Sequence, residues 1–220
     1  MVSFWGEPDA GVQFCEPKFT HSENVYEFGN TWSNIAYVLV GCAGLLDPRR
    51  RRSRSFFTPD VCLILVGLTS ALFHMTGRYW AQILDELSML MWTSSVLVVL
   101  SSFLDHVLCF DRFSLFFTSI AFMLYAVLGD FRVFLAIFVA HVLLVFKGLR
   151  NLSGLHPRTI PLVLSLLFLA TVCWLADQAC FLQTNFHVLW HLLSALSCAV
   201  VHGALANLAP IHVASQIKTK

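Results

Sequence analysis

The sequence predicts an all-α integral membrane protein whose single domain is a bundle of seven transmembrane helices. Of its 220 residues, 57% are hydrophobic and only 12% are charged, and its mean hydropathy is +0.72. Because soluble domains usually carry about 25% charged residues, this composition argues against a water-soluble protein. A spanning helix needs about 20 mostly apolar residues, and seven such stretches follow one another along the chain.

Short loops separate the seven apolar stretches, so no room remains for an inserted domain. The chain therefore divides into an N-terminal segment that includes the start of the first helix (1–30), a helical bundle (31–209) and a short tail (210–220). The predicted spans are Thr31–Leu46, Pro59–Met75, Trp80–Ser102, Phe113–Leu128, Phe131–Phe146, Ile160–Cys180 and Phe186–Ala209.

Local sequence signals support the first two predicted spans, of which the first has a short apolar run. We expect residues 22–30 to add an amphipathic first half to the first helix. The second span begins with Thr58, Pro59 and Asp60, which are a capping hydroxyl, a proline at the first helical position and an acid in the first turn. The remaining five spans are predicted from the length of their apolar runs.

The distribution of basic residues predicts an outer or lumenal N-terminus and a cytoplasmic C-terminus, because cytoplasmic loops are enriched in Lys and Arg. With this orientation, only Lys18, Arg78 and Arg132 lie on the outer side. The run from Arg49 to Arg54 is then a topology anchor next to a span. A net charge of +1 gives no indication of a nucleic-acid partner. The inner cations are Arg49, Arg50, Arg51, Arg52, Arg54, Arg112, Lys147, Arg150, Arg158, Lys218 and Lys220.

Ionisable side chains inside the spans gather near one side of the membrane. His74 ends the second span, Asp85 and Glu86 lie early in the third, and His187 and His191 begin the seventh. With the predicted orientation, all five belong to the outer leaflet. Because ionisable residues at membrane depth are costly and usually functional, this leaflet is where we expect the active site.

The histidine spacing favours a metal site. His187 and His191 are four residues apart, so they share one helix face with their Cβ atoms about 6 Å apart, and His74 adds a third imidazole. Three neutral imidazoles plus water form the open site of a catalytic zinc ion. Asp85 could take a proton from that water, and Ser70 could hydrogen-bond a developing oxyanion. Alternatively, the histidines only pack, and Ser70 only bonds the carbonyl of the preceding turn.

Six short motifs occur in order along nearly the whole chain. They are Trp5-Gly6, Cys15-Glu16, the stretch 27–34 (EFGNTWSN), the stretch 70–74 (SALFH), the stretch 82–89 (QILDELSM) and the stretch 187–191 (HVLWH). Together they resemble the alkaline ceramidases, seven-span amidases related to the progestin and adiponectin receptor family. The most specific feature is SxxxH, followed eleven residues later by DE, and then HxxWH in the last span.

The resemblance implies an amidohydrolase that cleaves ceramide into a sphingoid base and a fatty acid. It implies that His74, His187 and His191 hold a zinc ion, that Asp85 handles the activated water, and that Ser70 assists at the oxyanion. The expected partners are a ceramide-type substrate and membrane lipids, without an obligate protein partner. We expect the protein in endoplasmic reticulum or Golgi membranes, with the plasma membrane as an alternative.

Relatives of this kind also bind calcium in the N-terminal segment, and the matching positions here are Gln13, the carbonyl of Phe14, Glu16, Lys18 and Glu27. Gln13 replaces an aspartate and Lys18 replaces an asparagine. Since calcium prefers anionic and carbonyl oxygens, we expect weak or absent calcium binding. Either the Lys18 ammonium replaces the ion between Glu16 and Glu27, or Lys18 points to water.

The resemblance further implies a disulfide bond between Cys15 and Cys180, which requires an oxidising compartment. Two alternative functions remain open. The protein could be a related zinc hydrolase that cleaves another acyl bond, or a receptor-like lipid-binding member with a structural zinc. The presence of Ser70 and Asp85 argues against the receptor-like alternative, because a structural metal would not require them.

Overall fold

A computed structural model describes residues 4–49, 57–104, 120, 123–125 and 127–218. Within these residues the regular structure is entirely helical, which confirms the all-α part of the predicted fold class. The helices are α1 (Phe28–Ser33), α2 (Ile35–Leu46), α3 (Phe57–Thr76), α4 (Tyr79–Phe103), α5 (Phe131–Asn151), α6 (Thr159–Gln178) and α7 (His187–Lys218), with a short 3₁₀ turn at Phe181–Gln183.

Five helices of the described chain are long and apolar enough to cross a membrane. They are α3, α4, α5, α6 and the His187–Leu208 part of α7, and they correspond to five of the seven predicted spans. Most of the predicted span Phe113–Leu128 lies outside the described residues, as do Arg50 to Arg54, Arg112 and Lys220.

The first predicted span differs from the prediction at its start. Residues 22–27 are not helical, and α1 begins only at Phe28. The reason is that the backbone N–H groups of Tyr26 and Glu27 donate to carbonyls at the end of α3, at 2.9 Å each, so the segment cannot form its own helical turns. A break at Asn34 then separates α1 from α2.

Two glycines allow α2 and α3 to pack closely. A Cβ atom on Gly41 would lie 2.7 Å from the carbonyl oxygen of Asp60, and one on Gly67 would lie 2.9 Å from that of Asn34. Small residues permit such close approach of helix backbones in membranes. This contact fixes the position of α1 and α2 relative to α3, and α1 also packs against α7.

A tight turn brings the ends of α3 and α4 together. Gly77 adopts a φ of +64°, which a residue with a side chain adopts only with strain, and its carbonyl accepts the N–H groups of Asp9 and Ala10 at 3.1 Å each. As a result, the end of α3, which carries His74, lies beside the first turns of α4, which carry Asp85.

Residues 4–27 of the N-terminal segment lie across this end of the bundle. A disulfide bond joins Cys15 to Cys180, with their Cα atoms 5.1 Å apart, which agrees with the predicted pairing. The Asp9 carboxylate accepts the backbone N–H of Tyr79 at 2.7 Å, and the Gln82 side chain accepts that of Gly11 at 2.7 Å. The segment is therefore fixed to α4 and to the residues that follow α6.

The opposite end of the bundle has an apolar core. It is formed by buried Val and Leu side chains of α4, α5, α6 and α7, among them Leu100, Leu149, Val163 and Leu205. This core closes the bundle at one end, whereas the N-terminal segment covers the other. Between the two ends lies a cavity, which is described below with the site.

Candidate metal centre

Three histidines meet beneath the N-terminal segment. His74 comes from the last turns of α3, and His187 and His191 come from the first turns of α7. All three are buried, and one ring nitrogen from each lies within 4.8 Å of the others. The arrangement brings together the three imidazoles that the sequence singled out, including the one from a separate helix.

Neighbouring groups hold two of the rings with one nitrogen left for a ligand. The Nδ1 of His74 lies 2.6 Å from the Glu27 carboxylate, so Nδ1 carries the proton and Nε2 has a free lone pair. The Nδ1 of His191 lies 2.7 Å from the Ser33 hydroxyl, which itself donates to the Asn30 carbonyl at 3.1 Å. Metal-binding histidines are typically oriented by such hydrogen bonds.

The environment of His187 also fits a metal ligand. Its Nδ1 is buried, and no described group lies within hydrogen-bonding distance of it. An unpartnered polar atom in a protein interior is costly unless something binds it. The three-imidazole set suits zinc. The described residues therefore fit a zinc ion at this position.

Asp177 anchors the start of α7 from the end of α6. One of its carboxylate oxygens accepts the backbone N–H of His187 at 3.0 Å, and the other accepts that of Cys15 at 3.0 Å. Asp177 is completely buried. A single carboxylate thus positions both a histidine of the candidate metal centre and the disulfide-bonded Cys15.

An aromatic side chain of the N-terminal segment covers the centre. The Phe14 ring stacks on His187 with 3.7 Å between the ring centroids and an interplanar angle of 28°. It also lies 5.1 Å from the His74 ring. The cover separates the imidazoles from bulk solvent, which strengthens electrostatic interactions at the site.

Two acidic side chains of α4 lie at the same end of the cavity as the histidines. Asp85 and Glu86 are buried, and each has one carboxyl oxygen without a partner among the described groups. The Ser70 hydroxyl interacts with the carboxyl group of Asp85. Ser70 and Asp85 therefore lie beside one another, as their predicted roles require.

Lys18 takes a position that the sequence had assigned to a calcium site. Its ammonium donates to the carbonyl of Phe14 at 2.6 Å and forms an ion pair with Glu27. It also lies 4.9 Å from the centre of the Tyr26 ring. Although burial alone would raise the pKa of Glu27, its hydrogen bond with His74 and the charge and hydrogen bond of Lys18 hold that pKa below its usual value.

The remaining calcium positions do not converge on a cation. Glu16 accepts the backbone N–H groups of Gly29 at 2.5 Å and of Asn30 at 2.8 Å, and the side chain of Asn185 at 2.8 Å. Glu16 therefore caps α1 and does not share Lys18 with Glu27, so Lys18 connects Glu27 to the Phe14 carbonyl instead. Gln13 is exposed. The residues present do not fit a calcium site.

A cavity of about 310 Å³ extends from the histidines into the bundle. One face of α7, from His187 to Val201, lines it over about 20 Å, at 1.5 Å per residue. Within the described chain, α5 and α6 have few close backbone approaches, although their side chains meet in the apolar core and at the Phe131 and Trp174 rings, whose centroids are 6.3 Å apart. Val139 and Leu143 of α5 line the cavity although their exposed fractions are 47% and 64%. The cavity is therefore apolar and deep, and exposed side chains of α5 form part of its wall.

The sequence reasoning did not identify three residues that hold the centre. Ser33 orients His191, Asp177 anchors His187, and Glu27 orients His74, whereas the sequence placed Glu27 only in a calcium site. Asp177 could have been found, because it is an acidic residue in an otherwise apolar span. The role of Ser33 depends on the packing of α1 against α7, for which the sequence gives no signal.

The fold and the site define a helical membrane protein with a buried three-histidine centre at the end of an apolar cavity. Comparison with known families agrees, because the model of the family described as Ceramidase matches residues 6–218. The chain belongs to the Ceramidase family.

Individual relatives share a more limited region. The chain is 40% identical over 93 residues to alkaline ceramidase 1 of Mus musculus, 33% over 88 residues to alkaline ceramidase 3 of Mus musculus, and 30% over 90 residues to an alkaline ceramidase of Arabidopsis thaliana. These alignments cover 40–41% of this chain and 33–35% of the relatives. The chain therefore matches about a third of each relative's length.

Proposed function

We propose that the protein hydrolyses the amide bond of ceramide, releasing a sphingoid base and a fatty acid, at a zinc ion held by His74, His187 and His191. The observation that carries the proposal is the position of this buried three-histidine centre beside Asp85, at the end of an apolar cavity. Membership of the Ceramidase family supports the same substrate.

Both a bound metal ion and side chains of the protein contribute to the proposed hydrolysis. A bound zinc ion would polarise the amide carbonyl and lower the pKa of water to about 7. Asp85 accepts a proton from the water that attacks the carbonyl carbon, and later delivers it to the nitrogen as the C–N bond breaks. The Ser70 hydroxyl, beside Asp85, donates a hydrogen bond to the oxygen that becomes negatively charged.

The cavity suits a substrate with long hydrocarbon chains. Its apolar depth can bury hydrocarbon, whereas its polar groups gather at the histidine end. Because exposed side chains of α5 line the cavity, we place the lipid entrance beside this helix, where a lipid can enter from the bilayer without crossing water.

We further propose seven spans with an outer or lumenal N-terminus. The helices α1 and α2 together cover residues 28–46, about 28 Å of helix at 1.5 Å per residue, which approaches the thickness of a bilayer core. The remaining span of the seven is the sequence prediction Phe113–Leu128, most of which lies outside the described residues. The Cys15–Cys180 disulfide favours an oxidising compartment for this end, and endoplasmic reticulum or Golgi membranes provide one.

Calcium is not part of the proposed cofactor set, which is zinc alone. The ammonium of Lys18 already supplies the positive charge between Glu27 and the carbonyl of Phe14. A cation placed there would be repelled by it.

The test is sphingoid-base release from ceramide in detergent micelles by wild type and by Asp85→Asn. We expect Asp85→Asn to bind zinc as wild type does, while kcat falls about 10²- to 10⁴-fold because the proton acceptor is lost. Unchanged turnover in the variant would remove Asp85 from the mechanism. If wild type cleaves an ester analogue but no ceramide, the protein is a hydrolase of another acyl bond. If it binds zinc and lipid but cleaves neither, the receptor-like alternative holds.

A further inference from the structure

One acidic side chain of the cavity has no part in the mechanism above. Glu86 is 4% exposed and lines the cavity. It shares a helix face with Met89 and Thr93, which are three and seven residues further along α4 and line the same cavity. Glu86 is the polar end of this stripe, next to Asp85.

The two oxygens of the Glu86 carboxyl group differ in their surroundings. Oε1 accepts the side-chain amide of Gln82 at 2.8 Å, and the oxygen of that same amide accepts the backbone N–H groups of Gly11 and Val12. Oε2 is buried, and no described group lies within hydrogen-bonding distance of it. Glu86 is therefore held in place by one oxygen and has the other available for a ligand.

A buried oxygen without a partner among the described residues indicates room for a donor that these residues do not supply. Leaving such a group unsatisfied costs about 1–3 kcal/mol, and more for a charged group. A carboxyl group accepts a hydrogen bond in either protonation state. The missing donor is therefore a group that enters the cavity with the substrate, at the level of the catalytic residues.

We propose that Glu86 accepts a hydrogen bond from a sphingoid-base hydroxyl of ceramide, and thereby orients the amide toward the metal centre. This inference rests on the proposed function. Ceramide carries a primary and a secondary hydroxyl on either side of the carbon that bears the amide nitrogen. A hydroxyl held by Glu86 therefore keeps the amide nitrogen, three bonds from the hydroxyl oxygen, at the cavity wall that also carries Asp85.

The arrangement also accounts for selectivity among lipids. A site that binds a hydroxyl through a buried acceptor rejects an analogue without that hydroxyl, because the acceptor is then left unpartnered. It also disfavours a substrate that carries a phosphate at the same position, since the phosphate replaces the hydroxyl donor by acceptor oxygens. Glu86 thus distinguishes ceramide from apolar amides and from its phosphorylated form.

The test compares ceramide with its 1-deoxy and 3-deoxy analogues. For wild type we expect kcat/KM to fall about 10- to 100-fold for the analogue that lacks the recognised hydroxyl. In Glu86→Met we expect kcat/KM for ceramide to fall to the value for the deoxy analogue, so that the ratio of the two kcat/KM values approaches 1. Met89→Leu, a control on the same stripe, retains the wild-type ratio. Zinc content equal to that of wild type shows that each variant is folded.

Glu86→Gln keeps the shape of the side chain and serves if Glu86→Met does not bind zinc. We expect an intermediate ratio for it, because Gln82 orients the remaining oxygen and leaves an NH₂ group facing the hydroxyl. Equal rates of wild type on all three lipids would overturn the proposal, as would an undiminished ratio in the Glu86 variants.

The same lipids can be compared by binding to Asp85→Asn, which separates this proposal from the proposed function. If wild type cleaves no ceramide, but Asp85→Asn binds ceramide more tightly than a deoxy analogue and loses this preference when Glu86→Met is added, recognition by Glu86 stands without the amidase activity. Absence of that preference in Asp85→Asn overturns the recognition by Glu86.

Discussion

Glu27 connects the N-terminal segment to the metal centre, and replacing it by glutamine tests that connection. Its two oxygens accept hydrogen bonds from Lys18, from Asn30 at 3.0 Å and from Nδ1 of His74 at 2.6 Å. Glutamine offers one acceptor oxygen and an NH₂ group. At least one of the three donors would then face another donor.

The effect of Glu27→Gln on His74 determines how much zinc affinity the variant loses. If the new oxygen stays with Lys18, the NH₂ group of glutamine donates to Nδ1 of His74, and the ring proton moves to Nε2. A protonated Nε2 cannot bind a metal. Loss of a partner that orients a metal ligand typically lowers metal affinity about 10- to 100-fold, which corresponds to about 1.4–2.8 kcal/mol. We expect Glu27→Gln to lose zinc affinity by this factor.

The assay is competition for zinc between the detergent-purified protein and a chromophoric chelator. Glu16→Gln is the matched control, because Glu16 is also a buried glutamate of the N-terminal segment but caps α1 without contacting a histidine. It should unfold at lower temperature while keeping the zinc affinity of wild type. Equal zinc affinity in Glu27→Gln and wild type would refute the reasoning, as would an equal loss in both variants.

Three further predictions concern the rest of the structure. Cys15→Ser should lower the free energy of unfolding by about 2–5 kcal/mol, because the disulfide closes a loop with a sequence separation of 165. The control Cys42→Ser removes a free thiol and should change the free energy of unfolding little. Equal effects of the two substitutions would contradict the prediction. His202→Phe should lower the free energy of unfolding by about 1–3 kcal/mol, because it removes the imidazole that lies 2.8 Å from the buried carboxylate of Asp60 and that accepts the indole N–H of Trp92; chemical denaturation measures this, and a change below about 0.5 kcal/mol would contradict it. Calcium titration should leave the unfolding temperature and turnover unchanged, whereas a steep response of the wild type would show that Lys18 does not exclude the ion.

The helical class and the histidine set could be predicted because both depend on local signals. Apolar length identifies α3 to α7, and the four-residue spacing of His187 and His191 places both on one helix face. His74 could be added because it ends a neighbouring span at the same membrane depth. These signals do not depend on how the helices pack.

The N-terminal segment could not be predicted in the same way. Its non-helical course through residues 22–27 depends on hydrogen bonds with the end of α3, which is distant in sequence. The same is true of Glu16, which caps α1 and is not a partner of Lys18. The resemblance to a family indicated these residues as a group, but only the three-dimensional contacts of Lys18 and Glu27 define what each one does.

The measurement that tests the central claim most directly is sphingoid-base release from ceramide by purified wild type and His191→Ala, with zinc determined in both preparations. The account predicts that wild type contains one zinc ion and releases the base, and that His191→Ala loses both properties. Release by His191→Ala at the wild-type rate, or no release by zinc-loaded wild type from any ceramide, would contradict it.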